Sequence, residues 1–430
     1  MIITVPGDKS LTQRALILAS LADGESRLSG LLYGGDAAST AGALRALGAE
    51  IGELPDDGSE IVVRGVGLGG LRTPSAPLDL GNSGTGSRLL LGVLAGSGVT
   101  ASVTGDASLC SRPMGRVTEP LSLMGATFDF EKDPGRLPLT VHGARPLAPI
   151  EYRSPVASAQ VKSSILLAGL VGGAEAVVIE PLRSRDHTER MLRGVGATVT
   201  EEQVADGWRV GLETPPERIE PLHFTVPGDI SSAAFPLAWA ALGGAGEALT
   251  VEHVGLNPTR TAFLDALRRM GVDVTVTLDR GAGPEPVGSV TVTPGPLRGA
   301  TVGGEEVPRL IDELPLIAAL GARADGVTSI TGAEELRAKE SDRISAMVDN
   351  LRALGVEVEE RPDGMDVRGT DRPLRGRVAC RDDHRIAMAF GVLGAVGSNE
   401  IEIDDPAAAG VSFPGFWKLL DRLTAAPPAA

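Results

Sequence analysis

Two patterns of apolar and polar positions recur in step along this chain, and each predicts an element. The first runs leucine, two variable positions, an apolar residue, glycine, and then an alternating stretch. It reads LRALGAEI from Leu44, LSLMGATF from Leu121, LRGVGATV from Leu192, LRRMGVDV from Leu267 and LRALGVEV from Leu351, at spacings of 77, 71, 75 and 84 residues. Each copy predicts a helix ended by a left-handed glycine and followed by a strand. A weaker sixth copy, LLDRLTA from Leu419, closes the chain without its strand.

The second pattern is a polar turn running into a helix rich in alanine and leucine. Its copies are PGDKSLTQRALILASLA from Pro6, GNSGTGSRLLLGVLAG from Gly81, SPVASAQVKSSILLAGL from Ser154, PGDISSAAFPLAWAAL from Pro227, RLIDELPLIAALGA from Arg309 and RDDHRIAMAFGVLGA from Arg381. After its first turn each helix is apolar nearly all round, so it should be buried with only its N-terminal turn free. Six repeats of this kind imply two domains of three. VPGDKS at Val5 and VPGDIS at Val226 mark equivalent points 221 residues apart. The expected domains are therefore 9–227, and 1–8 together with 228–430, the first few residues returning to the C-terminal half. The length of 430 residues agrees, being too long for one ordinary core.

Buried helices of this kind present unpaired N–H groups and a positive dipole end at one face, which suits anions. The formal net charge of −16 sharpens the point, since it argues against a nucleic-acid partner and requires any anion site to be a local basic cluster. Cys110 and Cys380 are too few for a disulfide framework, and no Cys/His group has zinc-ligand spacing. The N-terminus lacks the pattern of a signal peptide and no apolar run approaches a membrane span, so a soluble cytoplasmic protein is expected.

Cations stand at the helix starts. Lys9 and Arg14 lie on the first, with Ser10 between them; Arg112 lies beside Pro113; Arg185 lies in SRDHTE. Lys339, Glu340 and Arg343 fall in AKESDR, with Lys339 and Arg343 spaced for one helical face. Arg385 follows Asp383 and His384. Taken singly each has a plainer reading. A lone Lys or Arg is most often a solvated charge, Ser158 and Gln160 can be ordinary caps, and Asp312 can be a structural carboxylate at a helix entrance.

The ordered set is more specific than its parts. PGDKS, GNSGTGSR, RPMGR, ASAQVKS, SRDHTE, NPTR, IDELP, LRAKESDR, DDHRIAM and SFPGF run in order from Pro6 to Phe416. This series resembles the 3-phosphoshikimate 1-carboxyvinyltransferase family, also called 5-enolpyruvylshikimate-3-phosphate synthase, in its class II branch. The resemblance implies an α/β fold of two inside-out barrel-like domains, each of three β-α-β-α-β-β units, with the substrates between them. It implies transfer of the carboxyvinyl group of phosphoenolpyruvate to the 5-hydroxyl of 3-phosphoshikimate, by a monomer with no cofactor or metal. Glyphosate is the inhibitor expected by the same resemblance.

The resemblance also distributes roles. Lys9, Ser10, Arg14, Ser158, Ala159 (through its backbone), Gln160, Arg185, Asp312 and Lys339 are expected at 3-phosphoshikimate. Lys9, Gly84, Arg112, Gln160, Arg343 and Arg385 are expected at phosphoenolpyruvate. Asp312 is the candidate base for the hydroxyl, and Glu340 and Lys9 are the candidates for proton transfer at the methylene carbon. The seven cations and two carboxylates named leave a formal excess of five positive charges, against about six negative charges on the two substrates.

Two positions depart from the pattern: Gln13 in the first motif, and Val411 where many relatives carry lysine. Two rival readings remain. One is the enolpyruvyl transferase that uses UDP-N-acetylglucosamine, many members of which carry a reactive cysteine at the place of Ala107. The other is a catalytically silent, metabolite-binding paralogue.

Overall fold

In the computed structural model, which describes residues 1–281 and 283–425, the five phrase glycines behave alike. Gly48, Gly125, Gly196, Gly271 and Gly355 all have φ between 82° and 114°, a region in which a Cβ is strained. Each ends a helix and turns the chain into a strand, beginning at Glu50, Thr127, Thr198, Asp273 and Glu357. Four copies add a latch. The guanidinium after the leading leucine (Arg45, Arg193, Arg268, Arg352) donates to the carbonyl six residues on, that of Ile51, Val199, Val274 and Val358. In the remaining copy that position is the exposed Ser122.

The second pattern forms the helices Lys9–Leu21, Gly84–Ser97, Ala159–Gly172, Ile230–Ala241, Leu314–Gly321 and His384–Gly394. All six are buried along almost their whole length, as their unbroken apolar faces require. Five are flanked by four-stranded sheets built to one plan. In each, a leading strand pairs parallel with the strand after the helix, and the next two strands add as an antiparallel hairpin. Strands such as Glu25–Ser29 and Leu139–His142 alternate between more and less buried positions. Helices thus lie inside and sheets outside. The sheets stay separate, so the barrel-like arrangement is one of layers and not of a closed hydrogen-bonded ring.

Two leading strands are exchanged. Ile2–Ile3 pairs parallel with Leu249–Gly255, and His223–Thr225 pairs parallel with Glu25–Ser29. Each VPGD phrase therefore joins a strand of one sheet system to a buried helix of the other. The chain divides accordingly into a first unit, Gly7–Val226 with residues 283–285, and a second unit, Met1–Pro6, Pro227–Gly281 and the chain from Pro286 on. The crossings fall after Pro6 and Val226, slightly ahead of those expected from the phrases. The excursion at 283–285 was not legible in them.

Each unit has its own core. That of the first is almost wholly aliphatic, whereas the second gathers Phe235, Trp239, Phe263, Phe390, Phe413 and Phe416. The sheet of the sixth repeat has only Arg375–Val378 and Glu400–Ile403. After these the described chain ends in the helix Phe416–Ala425, which sets Phe416 5.7 Å from Phe235. Among the described residues no helix is long and apolar enough to cross a membrane.

Candidate active site

In the first unit, small residues bring two helix starts together. A Cβ at Gly92 would stand 2.2 Å from the Ser164 carbonyl oxygen, and one at Gly96 2.6 Å from that of Ala168. The helices Gly84–Ser97 and Ala159–Gly172 are therefore in backbone contact, which places Arg88 of one beside Gln160 of the other. Arg88 Nη1 donates to Gln160 Oε1 at 2.7 Å, and Gln160 Nε2 donates to Thr85 Oγ1 at 3.0 Å. Ser158 caps its helix, accepting from Val161 N.

Arg112 is held by Asn82, to whose Oδ1 it donates at 2.6 Å, and by Ser108. Asn82 in turn donates to Asp106. Gly84 lies against this group: an added Cβ would stand 2.9 Å from Arg112 Nη1 and 3.3 Å from Arg88 Nη1. At the first helix Asp8 accepts from Leu11 N, and Lys9 Nζ lies 3.3 Å from Asp36 Oδ2. The departure at Gln13 has a structural use, since its buried side chain donates to Ser83 and Thr40 and joins the first helix start to the second.

Arg14 is buried. Its Nε donates to Thr188 Oγ1 at 2.7 Å, its Nη2 to Ser163 Oγ at 3.1 Å and its Nη1 to the Ser10 carbonyl at 3.1 Å. Burial pulls this guanidinium down to about 10, against the pull of Glu189 and Asp8, so it is charged at neutral pH. Arg185, half-buried, depresses it further and so lies within electrostatic reach. Behind Arg14 sits an ion triad in which Lys162 Nζ is 2.7 Å from Glu180 and 2.8 Å from Glu189. The letters of ASAQVKS and RDHTE thus meet pairwise, Lys162 with Glu189 and Ser163 with Thr188.

The second unit has a different centre. Arg343, 1% exposed, makes a fork onto Asp383 (Nε to Oδ2 2.8 Å, Nη2 to Oδ1 3.2 Å), donates to Glu340 Oε2 at 2.6 Å and reaches Asp312 Oδ1 at 3.4 Å. Burial opposes its charge, but Asp383 and Glu340 outweigh burial and raise it above the ordinary arginine value. Asp383 shows the converse: burial pushes it up, and Arg343 and His384 hold it below the usual carboxylate range. The same Asp383 caps the next helix by accepting from Arg385 N at 2.9 Å, and accepts from Ser341 Oγ. Two successive left-handed residues, Arg381 and Asp382, deliver it there; such backbone costs roughly 1–3 kcal/mol per residue and gathers at functional sites.

Burial separates the three carboxylates. Asp383 is 0% exposed, whereas the side chains of Asp312 and Glu340 are 21% and 24% exposed. Of the three, the latter two are partly open to solvent. Arg385 lies buried beside Phe235, and its Nε has no hydrogen-bond partner among the described residues. Behind Asp312, Arg260 of NPTR donates to Ser231 Oγ at 2.7 Å, and Ser231 donates to the buried Glu313.

One expectation is corrected. Lys339 and Arg343 do not share a helical face. Asp342 accepts from Ser345 N and so starts the helix at Arg343, leaving Lys339 and Glu340 in the turn before it. The sequence reading missed Asp383, Gln13, Lys162, Glu189 and Arg260 as parts of the clusters. All lay inside its quoted motifs, but nothing local distinguishes a buried partner from a solvated one.

A sequence model of the family described as EPSP synthase (3-phosphoshikimate 1-carboxyvinyltransferase) matches residues 1–420. The chain belongs to this family. Curated relatives bearing the name 3-phosphoshikimate 1-carboxyvinyltransferase include that of Alkalilimnicola ehrlichii, 50% identical over 96% of this chain and 91% of its own length. Another is that of Gloeobacter violaceus, 50% identical over 98% and 96%. Among solved structures, EPSP synthase from Acinetobacter baumannii superposes with a TM-score of 0.85 at 40% identity, covering 98% of this chain and 95% of that one. The enolpyruvyl transferase NikO from Streptomyces tendae superposes with a TM-score of 0.75 at 19% identity, which extends the fold alone.

Proposed function

We propose that the chain transfers the carboxyvinyl group of phosphoenolpyruvate to the 5-hydroxyl of 3-phosphoshikimate, releasing inorganic phosphate, and that both clusters serve this one reaction. The observation that carries the division of labour is Arg343 clasped by one fully buried carboxylate and two partly exposed ones. These carboxylates take four of the five guanidinium N–H groups, leaving one for an anion, and the clasp holds two proton-exchanging groups beside it.

In this reading the methylene carbon of phosphoenolpyruvate gains a proton, the acceptor hydroxyl loses one, and the new C–O bond gives a tetrahedral ketal phosphate. Breakage of its C–O bond to phosphate, with loss of a methyl proton, restores the vinyl ether. Asp312 takes the hydroxyl proton, and Glu340 or Lys9 serves the methylene carbon. Arg112, Arg343 and Arg385, with Gly84 and Gln160, hold phosphoenolpyruvate. Ser10, Arg14, Ser158, Ala159, Gln160, Arg185 and Lys339 hold the phosphorylated acceptor. The enzyme acts as a cytoplasmic monomer.

The test is phosphate release from purified protein with phosphoenolpyruvate and either 3-phosphoshikimate or UDP-N-acetylglucosamine. Turnover with 3-phosphoshikimate alone is expected. Turnover only with the UDP-sugar, or with neither, would overturn the reading.

A further inference from the structure

We propose that the buried ion pair Lys162–Glu189 is a positioning device for the phosphorylated acceptor, acting through Ser163, Thr188 and Arg14. Neither charge can meet a ligand, because their side chains are 1% and 0% exposed. Each is instead one residue away from a hydroxyl that does reach Arg14. Ser163 follows Lys162 and Thr188 precedes Glu189; their hydroxyls are 2.6 Å apart, and both accept from the Arg14 guanidinium. Three helices, Lys9–Leu21, Ala159–Gly172 and His187–Gly194, meet at this point.

The choice of an ion pair here needs a reason beyond stability. A buried ion pair is often no more stabilising than apolar groups of the same volume. What it adds is geometry. Glu180 fixes Lys162 from a third side, at 2.7 Å, and is itself fixed by the Ser184 N–H and hydroxyl at 2.8 and 2.7 Å. With Lys162 so anchored, its contact to Glu189 sets the register between the helix that begins at Ala159 and the helix that follows Arg185. Ser158, Ala159 and Gln160 lie one turn ahead of Lys162 on the first of these. Apolar packing carries no such directional contact, and small displacements of substrate-holding groups are expensive. The inference rests on the assignment of Arg14 and Ser158–Gln160 to the acceptor.

Glu189→Met separates positioning from its rivals. It retains the Lys162–Glu180 pair and the side-chain volume while removing one negative charge. Electrostatics alone would then tighten binding of an anionic acceptor, so positioning predicts the opposite sign. The KM for 3-phosphoshikimate should rise about ten-fold and the KM for phosphoenolpyruvate should stay within about two-fold, alongside a lowered melting temperature from the broken buried pair. Glu189→Gln, which keeps an oxygen facing Lys162, should lie nearer the wild type. An acceptor KM that is unchanged or lowered in a folded Glu189→Met protein overturns the proposal, as does a Gln variant no better than Met. Should the Met variant fail to fold, Thr188→Val must show the same acceptor-specific rise or the proposal falls. Arg14→Lys run in parallel tests the assignment beneath it. If that variant raises the KM for phosphoenolpyruvate instead, the assignment fails; if it raises the acceptor KM while Glu189→Met does not, only the positioning role fails.

Discussion

The two units hold cations at buried helix starts with different sets of partners, although Lys9 in the first also has a carboxylate, Asp36, beside it. In the first, Arg14, Arg88 and Arg112 are oriented by hydroxyls, carboxamides and backbone carbonyls. In the second, Arg343 is oriented by three carboxylates. A neutral partner fixes a guanidinium without cancelling its charge, which suits a site that must receive a dianion. Carboxylate partners cancel the charge but bring proton acceptors to the same place. On the proposed mechanism the second unit carries the carboxylates that move protons and the first carries most of the acceptor's binding groups, and that weighting can be broken by experiment.

The largest effect should come from the second unit. Asp312→Asn keeps the shape of the side chain and the contact to Arg343 but removes the carboxylate that the proposed mechanism uses as base. Turnover should fall by about two to four orders of magnitude, with the circular dichroism spectrum and acceptor affinity, measured by calorimetry, little changed. Near-normal turnover would remove Asp312 from the mechanism and leave the contrast without its chemical side.

Asp383→Asn tests the fully buried partner. Breaking a buried pair costs about 3–5 kcal/mol, so denaturant unfolding at pH 7 should show a loss of that order, with a raised KM for phosphoenolpyruvate as Arg343 loses its fork. The pH dependence has a definite sign. The folded pKa of Asp383 lies below its unfolded value, so the pairing stabilises the protein above about pH 4 and is lost as pH falls through the folded value. The stability gap between wild type and variant should therefore narrow below pH 4. A constant gap would mean that the loss is one of packing.

A smaller effect is expected in the first unit from Gly84→Ala. The new methyl would stand 2.9 Å from Arg112 Nη1, so the guanidinium must give way. The KM for phosphoenolpyruvate should rise roughly three- to ten-fold, from a misplacement of tenths of an ångström. Stability should be unchanged or higher, since alanine favours the helix over glycine. An equal rise in both substrates' KM would contradict the local reading.

The contrast between the units was only partly legible in the chain. Repeats, buried helices and the cations at their starts follow from patterns that every copy restates, so the sequence carries them several times over. The charge partners do not. The excess of five positive charges counted from the motifs omitted Asp36 beside Lys9 and Asp383 beside Arg343, because pairing across 27 or 40 residues leaves no local signature. Lys339 was placed on a helical face by spacing alone, and the Asp342 cap three residues on decided otherwise. The exchanged leading strands were legible as a duplicated VPGD phrase, whereas the excursion at 283–285 carried no pattern.

The smallest expected effect concerns what the two units share. The arginine latch occurs in both, at Arg45 and Arg193 in the first and at Arg268 and Arg352 in the second, so it belongs to the scaffold and should be indifferent to the chemistry. Arg352→Ala should lower unfolding stability by about 1–2 kcal/mol, the worth of a charged donor on a backbone carbonyl, and leave kcat and both KM values unchanged. Ser122 offers the reverse experiment. It is exposed and stands where the other four copies carry arginine, six residues before Phe128 in the strand Thr127–Phe130. Ser122→Arg should therefore add a latch and gain roughly 0.5–1 kcal/mol. A gain in stability with altered KM values would show that the scaffold of the first unit is coupled to its cations, and the separation drawn between shared scaffold and divergent clusters would have to be abandoned.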